Sequence, residues 1–489
     1  MKPSRAGRLA AVLERKWWTL IVVCTGIFML LLDVTVVNVA LPEIQKDLHA
    51  SFSQLQWVID AYALSLAALT LTAGSLADLR GRKRVFAMGV IVFTVGSLLC
   101  GVAPSANFLI LARGLQGVGG ATMFATSLAL LAHEFHGRER GTAFGIWGAT
   151  TGGAVAIGPL VGGLITETLG WRWIFLVNVP IGAAALAITL LRVAESRDPE
   201  HGGVDVPGVV TFTGGLFLLV FGLVRGNNEG WGSTMIVGVL TGSAALLLAF
   251  LVIELRSKRP MLDLRLFRRP AFVGAQVAAF TLSASAFSMF LYFTLYLQNV
   301  LGYSPLQAGL RFLPITLLSF IVAPIAGKLS AHTQVRLLIG GGLAVITVAM
   351  LAMHGLTASS GWTALLPGFL LLGAGVGLVN PPLASAAVGV VPPRSTGMGS
   401  GANSTFRQVG IATGIAALGA AFEHHLTATL GSAGHGVASG VVPPALREQA
   451  TAAFVSGMNE LFLISAAIAA VGAVSSLFLI RQRDLHVRG

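Results

Sequence analysis

The feature that most constrains this chain is a succession of long apolar runs. About fourteen segments of roughly 20 predominantly apolar residues follow one another, and each is long enough to cross a bilayer as a helix. Only 11% of the 489 residues are charged and the mean hydropathy is +0.80. A soluble domain carries about 25% charged residues. The sequence therefore predicts an all-α integral membrane protein with fourteen transmembrane helices.

The runs fall into groups of six, two and six, which suggests two bundles joined by an inserted helix pair. A local match supports duplication, because residues 323–342 resemble residues 70–89 and Gly327 falls where Gly74 falls. Internal repeats of this kind are characteristic of secondary transporters. The predicted regions are an N-terminal segment (1–17), a six-helix bundle (18–192), a loop with two linking helices (193–254), a basic linker (255–271), a second six-helix bundle (272–480) and a tail (481–489).

Basic residues give the chain a formal net charge of +12, and their positions indicate its orientation. They cluster in short loops at 78–84, 136–140 and 254–270. Because Lys and Arg mark the cytoplasmic side of membrane proteins, we expect these loops and both termini to be cytoplasmic. No basic stripe with interleaved aromatic residues suggests a nucleic-acid partner, and no Cys or His spacing indicates a metal site.

Charged residues inside apolar runs are costly and are functional candidates. Asp33 in FMLLLDVTVVNVALP (28–42) lies roughly 12 Å from one end of its span, and Arg113 lies roughly 9 Å from the same face in the fourth span. Their similar depth predicts a pair, which either carries a proton or fixes the bundle as a static ion pair. Asp60 is either a second protonatable group or a solvated helix end.

Two glycine-containing motifs are candidates for moving contacts. In GSLADLRGRKR (74–84), small residues permit close helix approach and a tight turn, whereas purely topogenic charge would explain only the basic residues. In GPLVGG (158–163), a proline breaks helix hydrogen bonding beside small residues, although ordinary small-residue packing would give the same pattern. The candidate residues of the first motif are Gly74, Asp78, Gly81, Arg82, Lys83 and Arg84, and those of the second are Gly158, Pro159, Gly162 and Gly163.

Polar residues within the spans are candidates for lining a substrate cavity, although buried amides in membranes also bond between helices. No Asp or Glu lies deep in spans nine to thirteen. The candidates are Asn38, Tyr62, Gln116, Tyr292, Gln298, Asn380, Asn403, Arg407 and Gln408.

These motifs together resemble the major facilitator superfamily, and more narrowly its fourteen-spanner drug:proton antiporters of the QacA/EmrB type. The resemblance is carried by LLDVTVVNVALP (31–42), GSLADLRGRKR, LARGLQGVGGA (111–121), GPLVGG and WRWIFLVNVPIG (171–182). It departs at Ala154, where a glycine is common. Some members of this family that export cationic dyes carry further acidic residues in the C-terminal bundle, so the lack of Asp and Glu deep in spans nine to thirteen disfavours dicationic substrates and leaves neutral, zwitterionic or anionic ones. The resemblance implies two bundles that rock around a central cavity, proton coupling by Asp33 and Arg113, and a latch formed by Asp78 and the basic loop.

The resemblance implies a proton-coupled multidrug or antibiotic exporter in a bacterial cytoplasmic membrane, which works by alternating access as a functional monomer. Its partners would be a small amphipathic substrate, protons and membrane lipids. It would need no cofactor besides the proton-motive force, and no catalytic constellation suggests an enzyme. The alternatives are a proton-coupled importer of a small nutrient or siderophore on the same fold, and a membrane sensor that transports nothing.

Overall fold

All regular secondary structure in the part of the chain that the computed structural model describes is helical, and no β-strand occurs there. Residues 1–4 of the predicted N-terminal segment and residues 482–489 of the predicted tail lie outside that part, as do the side chains of Asn38 and Pro159. The described residues are 5–196, 205–257, 260–330, 332–392, 395–431 and 447–481.

Seventeen α-helices are named in chain order among these residues. They are α1 (Arg5–Leu48), α2 (Phe52–Arg80), α3 (Arg82–Gly101), α4 (Ala106–Glu134), α5 (Gly137–Leu169), α6 (Trp173–Leu176), α7 (Asn178–Arg192), α8 (Val206–Glu229), α9 (Thr234–Arg256), α10 (Pro270–Leu282), α11 (Ser288–Leu295), α12 (Pro305–Arg311), α13 (Leu313–Leu329), α14 (Val335–Met353), α15 (Leu366–Gly389), α16 (Thr396–Leu430) and α17 (Arg447–Leu479).

Eleven helical segments of the described chain are long and apolar enough to cross a membrane. The other three predicted spans fall on α5, α13 and α16. Helix α13 has only 17 residues because the chain turns at Phe312, and the first half of α16 is rich in Gly, Ser and Thr. The count of fourteen spans therefore stays a prediction, although each predicted run is helical.

The predicted ninth span is not one continuous α-helix. It is divided between α10 and α11 by a π-helical turn at Ser283–Phe287, and a second π-helical turn follows at Tyr296–Val300. Such turns insert an extra residue into the helix and are frequent at functional sites. Apolar periodicity cannot distinguish them from regular helix, so the sequence predicted a single uniform run.

The buried apolar residues form two clusters in the N-terminal half and one centred on the C-terminal half. One N-terminal cluster includes Leu30, Phe86 and Trp147, and the C-terminal core spans α10 to α17 and also takes in Leu64 of α2. The inserted pair α8–α9 joins the C-terminal core through residues such as Phe212, while α8 also packs against α2. The inserted helices therefore contact both halves.

The basic loops share one end of the molecule, which we call the basic end. Lys16 Nζ lies 2.5 Å from Glu139 Oε2, and Arg15 Nε donates to the Arg192 carbonyl at 2.9 Å. Ser75 Oγ donates to the Met261 carbonyl at 2.9 Å. The predicted grouping of these loops on one face agrees with these contacts.

Two seams join the halves at the basic end. In the α2–α16 seam, a methyl group on Gly74 would collide with the Gly397 carbonyl oxygen. In the α5–α13 seam, a methyl group on Gly141 would collide with the Gly327 carbonyl oxygen. Only glycine permits backbones to approach this closely. Gly74 and Gly327, matched in the sequence, therefore occupy equivalent positions in the two halves.

Candidate functional site

Asp33 and Arg113 form a buried ion pair between α1 and α4, and each side chain is 1% exposed. Arg113 Nη1 donates to Asp33 Oδ2 and also to Gln116 Oε1 at 2.8 Å. Gln116 Nε2 donates to Asp33 Oδ1 at 2.9 Å. The structure thus brings together the two charges whose depths matched in the sequence, and it adds Gln116 as a bridge between them.

Helix α2 forms the third wall of this cluster. Arg113 Nε donates to the Val58 carbonyl at 3.1 Å, and the guanidinium lies 4.2 Å from the centre of the Tyr62 ring. The Tyr62 hydroxyl donates to the Leu30 carbonyl at 2.9 Å. Arg113 therefore keeps a carbonyl, an amide oxygen and an aromatic face as partners when Asp33 is neutral.

Two glycines of the GPLVGG motif hold α5 against the turn of α1 that carries Asp33. A methyl group on Gly158 would collide with Thr35, and one on Gly162 would lie 3.1 Å from Val36 Cα. A methyl group on Gly163 would meet nothing nearer than Leu306 Cβ at 4.0 Å. The first two positions require a small residue, and the third does not.

The Asp78 carboxylate connects the two halves directly. It accepts the backbone N–H of Gly397 at 2.9 Å and that of Met398 at 2.8 Å, both in the first turn of α16. Arg82 donates to the same carboxylate through Nε at 3.1 Å and Nη2 at 2.8 Å. First-turn amides have no partner within their own helix and attract negative charge. Asp78 therefore caps α16 from the other half of the molecule.

Glu195 supports the remaining residues of this motif and was missed in the sequence because it lies in a loop. It accepts the backbone N–H of Lys83 at 3.1 Å and that of Arg84 at 3.3 Å. Gly81 has φ +106°, and a methyl group there would lie 2.5 Å from the Glu195 carboxylate. The tight turn between α2 and α3 therefore requires glycine.

Asp60 is half-buried on α2 and faces the inserted helix α8. Arg225 of α8 donates to Gln56 Oε1 at 3.0 Å, lies 5.1 Å from the centre of a Trp57 ring, and is close enough for its charge to act on Asp60. The sequence interpretation treated this helix pair as a linker, so it did not identify Arg225. The sequence signal that could have identified Arg225 is a charged residue at the end of an inserted span.

The remaining cavity candidates do not form one group. Arg407 donates to the side chains of Asn380 and Asn403 inside the C-terminal half. The Tyr292 hydroxyl donates to the Ile415 carbonyl at 3.2 Å, which is a bond between neighbouring helices. Gln298 and Gln408 are half-buried elsewhere, and Asn38 lies outside the described side chains.

The sequence profile of the Major Facilitator Superfamily matches residues 23–415. The chain belongs to this superfamily. It is 38% identical to the multidrug resistance protein Stp of Mycobacterium tuberculosis, over 84% of this chain and 77% of that protein. It is 34% identical to the tetracenomycin C resistance and export protein of Streptomyces glaucescens, over 95% of this chain and 91% of that protein. The solved structure of the proton:xylose symporter XylE matches with a TM-score of 0.66 at 12% identity, covering 96% of each chain.

In this major facilitator protein, residues of the WRWIFLVNVPIG motif join neighbouring helices at the end of the molecule opposite the basic end. Arg172 and Trp171 both donate to the Asp47 carboxylate, and the Arg172 guanidinium lies 4.4 Å from the centre of a Trp171 ring. These hydrogen bonds hold the pKa of Asp47 below its usual value. Asn178 of the same motif donates to Ser97 Oγ at 3.0 Å. The motif therefore fixes α6 and α7 to α1 and α3.

Proposed function

We propose that this major facilitator protein exports small amphipathic compounds in exchange for protons. The observation that carries the proposal is the buried Asp33–Arg113–Gln116 cluster. The names of relatives that confer resistance or export an antibiotic support the same direction of transport. We propose that the basic end and both termini are cytoplasmic, that the chain works as a monomer, and that the proton-motive force drives it without a cofactor.

Asp33 is the proton acceptor in this proposal. A proton entering from outside would neutralise the carboxylate and remove its ion pair with Arg113. The membrane potential favours that entry by about 2.3 kcal/mol per charge per 100 mV. Arg113 keeps Val58 and Gln116 as partners, so neutral Asp33 leaves no isolated buried charge. Loss of the attraction between α1 and α4 would favour the inward-open state. A proton that binds the two states with different affinity can shift their populations in this way.

The contact between α5 and α1 supports coupling of this event to bundle movement. Gly158 and Gly162 place α5 against Thr35 and Val36 of α1, which follow Asp33 within one helical turn. Helix α5 also forms the α5–α13 seam through Gly141. A change in the α1–α4 pair therefore reaches the seam through one continuous helix.

The deciding experiment uses purified protein in sealed liposomes with an imposed pH gradient and a panel of fluorescent or labelled antibiotics. Asp33→Asn is compared with Asp47→Asn, which is the same substitution on the same helix at an exposed ion pair. We expect Asp33→Asn to lose gradient-driven transport and keep substrate binding, and Asp47→Asn to transport like the wild type.

Driven transport by Asp33→Asn at the wild-type rate would remove Asp33 from the coupling step. Vesicles of known orientation test the direction, because inward movement towards the basic end would support an importer of a nutrient or siderophore. A chain that moves none of the compounds under any gradient would support the sensor alternative.

A further inference from the structure

The C-terminal half contains a buried cation that no carboxylate neutralises among the described residues. Arg407 lies in the first half of α16 and is 5% exposed. Its Nη1 donates to Asn380 Oδ1 at 2.9 Å and its Nε donates to Asn403 Oδ1 at 3.3 Å. Two neutral amides therefore hold a guanidinium that stays charged at any physiological pH.

The sequence offers no acidic residue to most of this half of the molecule. No Asp or Glu occurs between Asp263 and Glu423, which covers α10 to α15 and most of α16. In the N-terminal half, by contrast, Arg113 is neutralised by Asp33. A buried charge without a counter-charge costs several kcal/mol, and intramembrane charges are kept where they bind something.

The hydrogen-bonding groups around Arg407 are complementary to an anion. Because a guanidinium only donates, both asparagines must turn their oxygens towards it, and this fixes the orientation of both amides. Asn380 Nδ2, Asn403 Nδ2 and Arg407 Nη2 are buried and find no hydrogen-bond partner in the described part of the chain. All three are donors. A carboxylate accepts hydrogen bonds and donates none, and it matches a guanidinium in two-point geometry.

The cluster lies where the two halves meet. Asn380 Cβ would be 3.4 Å from a methyl group on Gly148 of α5. Asn380 also precedes Pro381 and Pro382, which interrupt the hydrogen bonding of α15 because proline has no backbone N–H. A site beside α5 becomes reachable when the two halves separate.

We propose that Arg407, Asn380 and Asn403 form a subsite for an acidic group of the exported compound. The substrates are then amphipathic organic anions, or zwitterions with a carboxylate. This inference rests on the proposed export function, and it predicts that a neutral analogue of the same shape binds more weakly.

The probes are anthraquinone-2-carboxylate and anthraquinone-2-carboxamide, which have similar size and differ in charge. Equilibrium binding is measured in phosphatidylcholine nanodiscs, so that no anionic lipid competes for the site. We expect tighter binding of the carboxylate by the wild type. In Arg407→Gln, carboxylate binding weakens about 10- to 100-fold, as expected for hydrogen bonds to a charged group, and carboxamide binding stays within about threefold.

Three further variants keep the test decisive if Arg407→Gln folds poorly. Arg407→Lys retains the charge and should keep part of the preference for the carboxylate. Asn380→Asp places a carboxylate against Arg407 and should abolish the preference while strengthening the fold. Arg311→Gln removes a guanidinium of the same half that stacks on Tyr303, and it should bind both probes like the wild type.

Equal binding of the two probes by the wild type, or an unchanged preference in Arg407→Gln and Asn380→Asp, would overturn the proposal. So would failure of the carboxylate to bind. Proton-driven transport by the same preparation separates this from the proposed function. Transport without a preference for the carboxylate overturns the anion subsite alone, whereas selective binding without driven transport overturns the export function alone.

Discussion

The substitution Asp78→Ala removes a buried carboxylate, and it should open the first turn of α16 without unfolding the protein. The Gly397 and Met398 amides occupy a helix N-terminus, where no intrahelical carbonyl can accept them. Asp78 is the acceptor that both use, at 2.9 and 2.8 Å. The rate at which these two amides exchange with deuterium therefore reports the integrity of the α2–α16 seam.

The expected magnitude follows from those two bonds. A hydrogen bond to a charged group contributes about 1.5–3 kcal/mol, and two bonds to one carboxylate are not additive. An opening free energy lowered by about 2–3 kcal/mol makes exchange about 30- to 150-fold faster. Asp78→Asn should accelerate exchange less than Asp78→Ala, because the asparagine keeps one acceptor oxygen for one of the two amides. Its NH2 group faces the other amide, which then has no acceptor.

The assay is hydrogen–deuterium exchange with mass spectrometry of the first turn of α16 in nanodiscs. Glu195→Gln is the matched control, because Glu195 caps the Lys83 and Arg84 amides at the same end and does not bond α16. It should accelerate exchange in α3 and leave α16 unchanged. Exchange at Gly397 and Met398 within about threefold of the wild type in Asp78→Ala would refute the assignment of the carboxylate as the contact that holds this seam.

Two further substitutions test contacts described above. Gly158→Ala forces a methyl group against Thr35 and should cost about 1–3 kcal/mol of stability and slow driven transport, whereas Gly163→Ala should stay within about 0.5 kcal/mol of the wild type in thermal unfolding. Arg225→Gln should weaken the attachment of α8 to α2 by about 1–2 kcal/mol. In a double-mutant cycle with Gln56→Ala, additive losses in thermal stability would show that the two side chains do not interact.

The helical fold and the N-terminal charge pair followed from the sequence because their signals are local. Apolar length marks the spans, and depth along a helix places Asp33 beside Arg113 without knowledge of the packing. The superfamily then fixes the fold. The boundaries of the bundles and the roles assigned to the site residues stay predictions.

Other contacts could not be predicted because one partner carries no sequence signal. Asp78 bonds backbone amides of α16, and every residue type except proline supplies such an N–H. Glu195 does the same for the start of α3. Arg407 is held by Asn380, and the pairing of two polar residues in separate spans depends on helix rotation. The π-helical turn at Ser283–Phe287 leaves the apolar pattern unchanged, so composition cannot reveal it.

The two seams at the basic end differ in kind, although their glycines are equivalent. The α2–α16 seam contains a buried carboxylate that bonds across it, whereas Ala331 stands in the sequence at the position equivalent to Asp78. Beside the α5–α13 seam, Arg140 Nη2 reaches the Ser385 carbonyl of α15 at 3.4 Å, a long hydrogen bond. Separation of the α2–α16 seam leaves the Asp78 carboxylate without the Gly397 and Met398 N–H groups, and it leaves those groups without an acceptor. Separation of the α5–α13 seam mainly breaks the contact between closely packed backbones. The basic end is therefore asymmetric, with carboxylate hydrogen bonds across one seam and close backbone packing along the other, and we expect the bundles to tilt apart at the α5–α13 seam first while the α2–α16 seam stays joined.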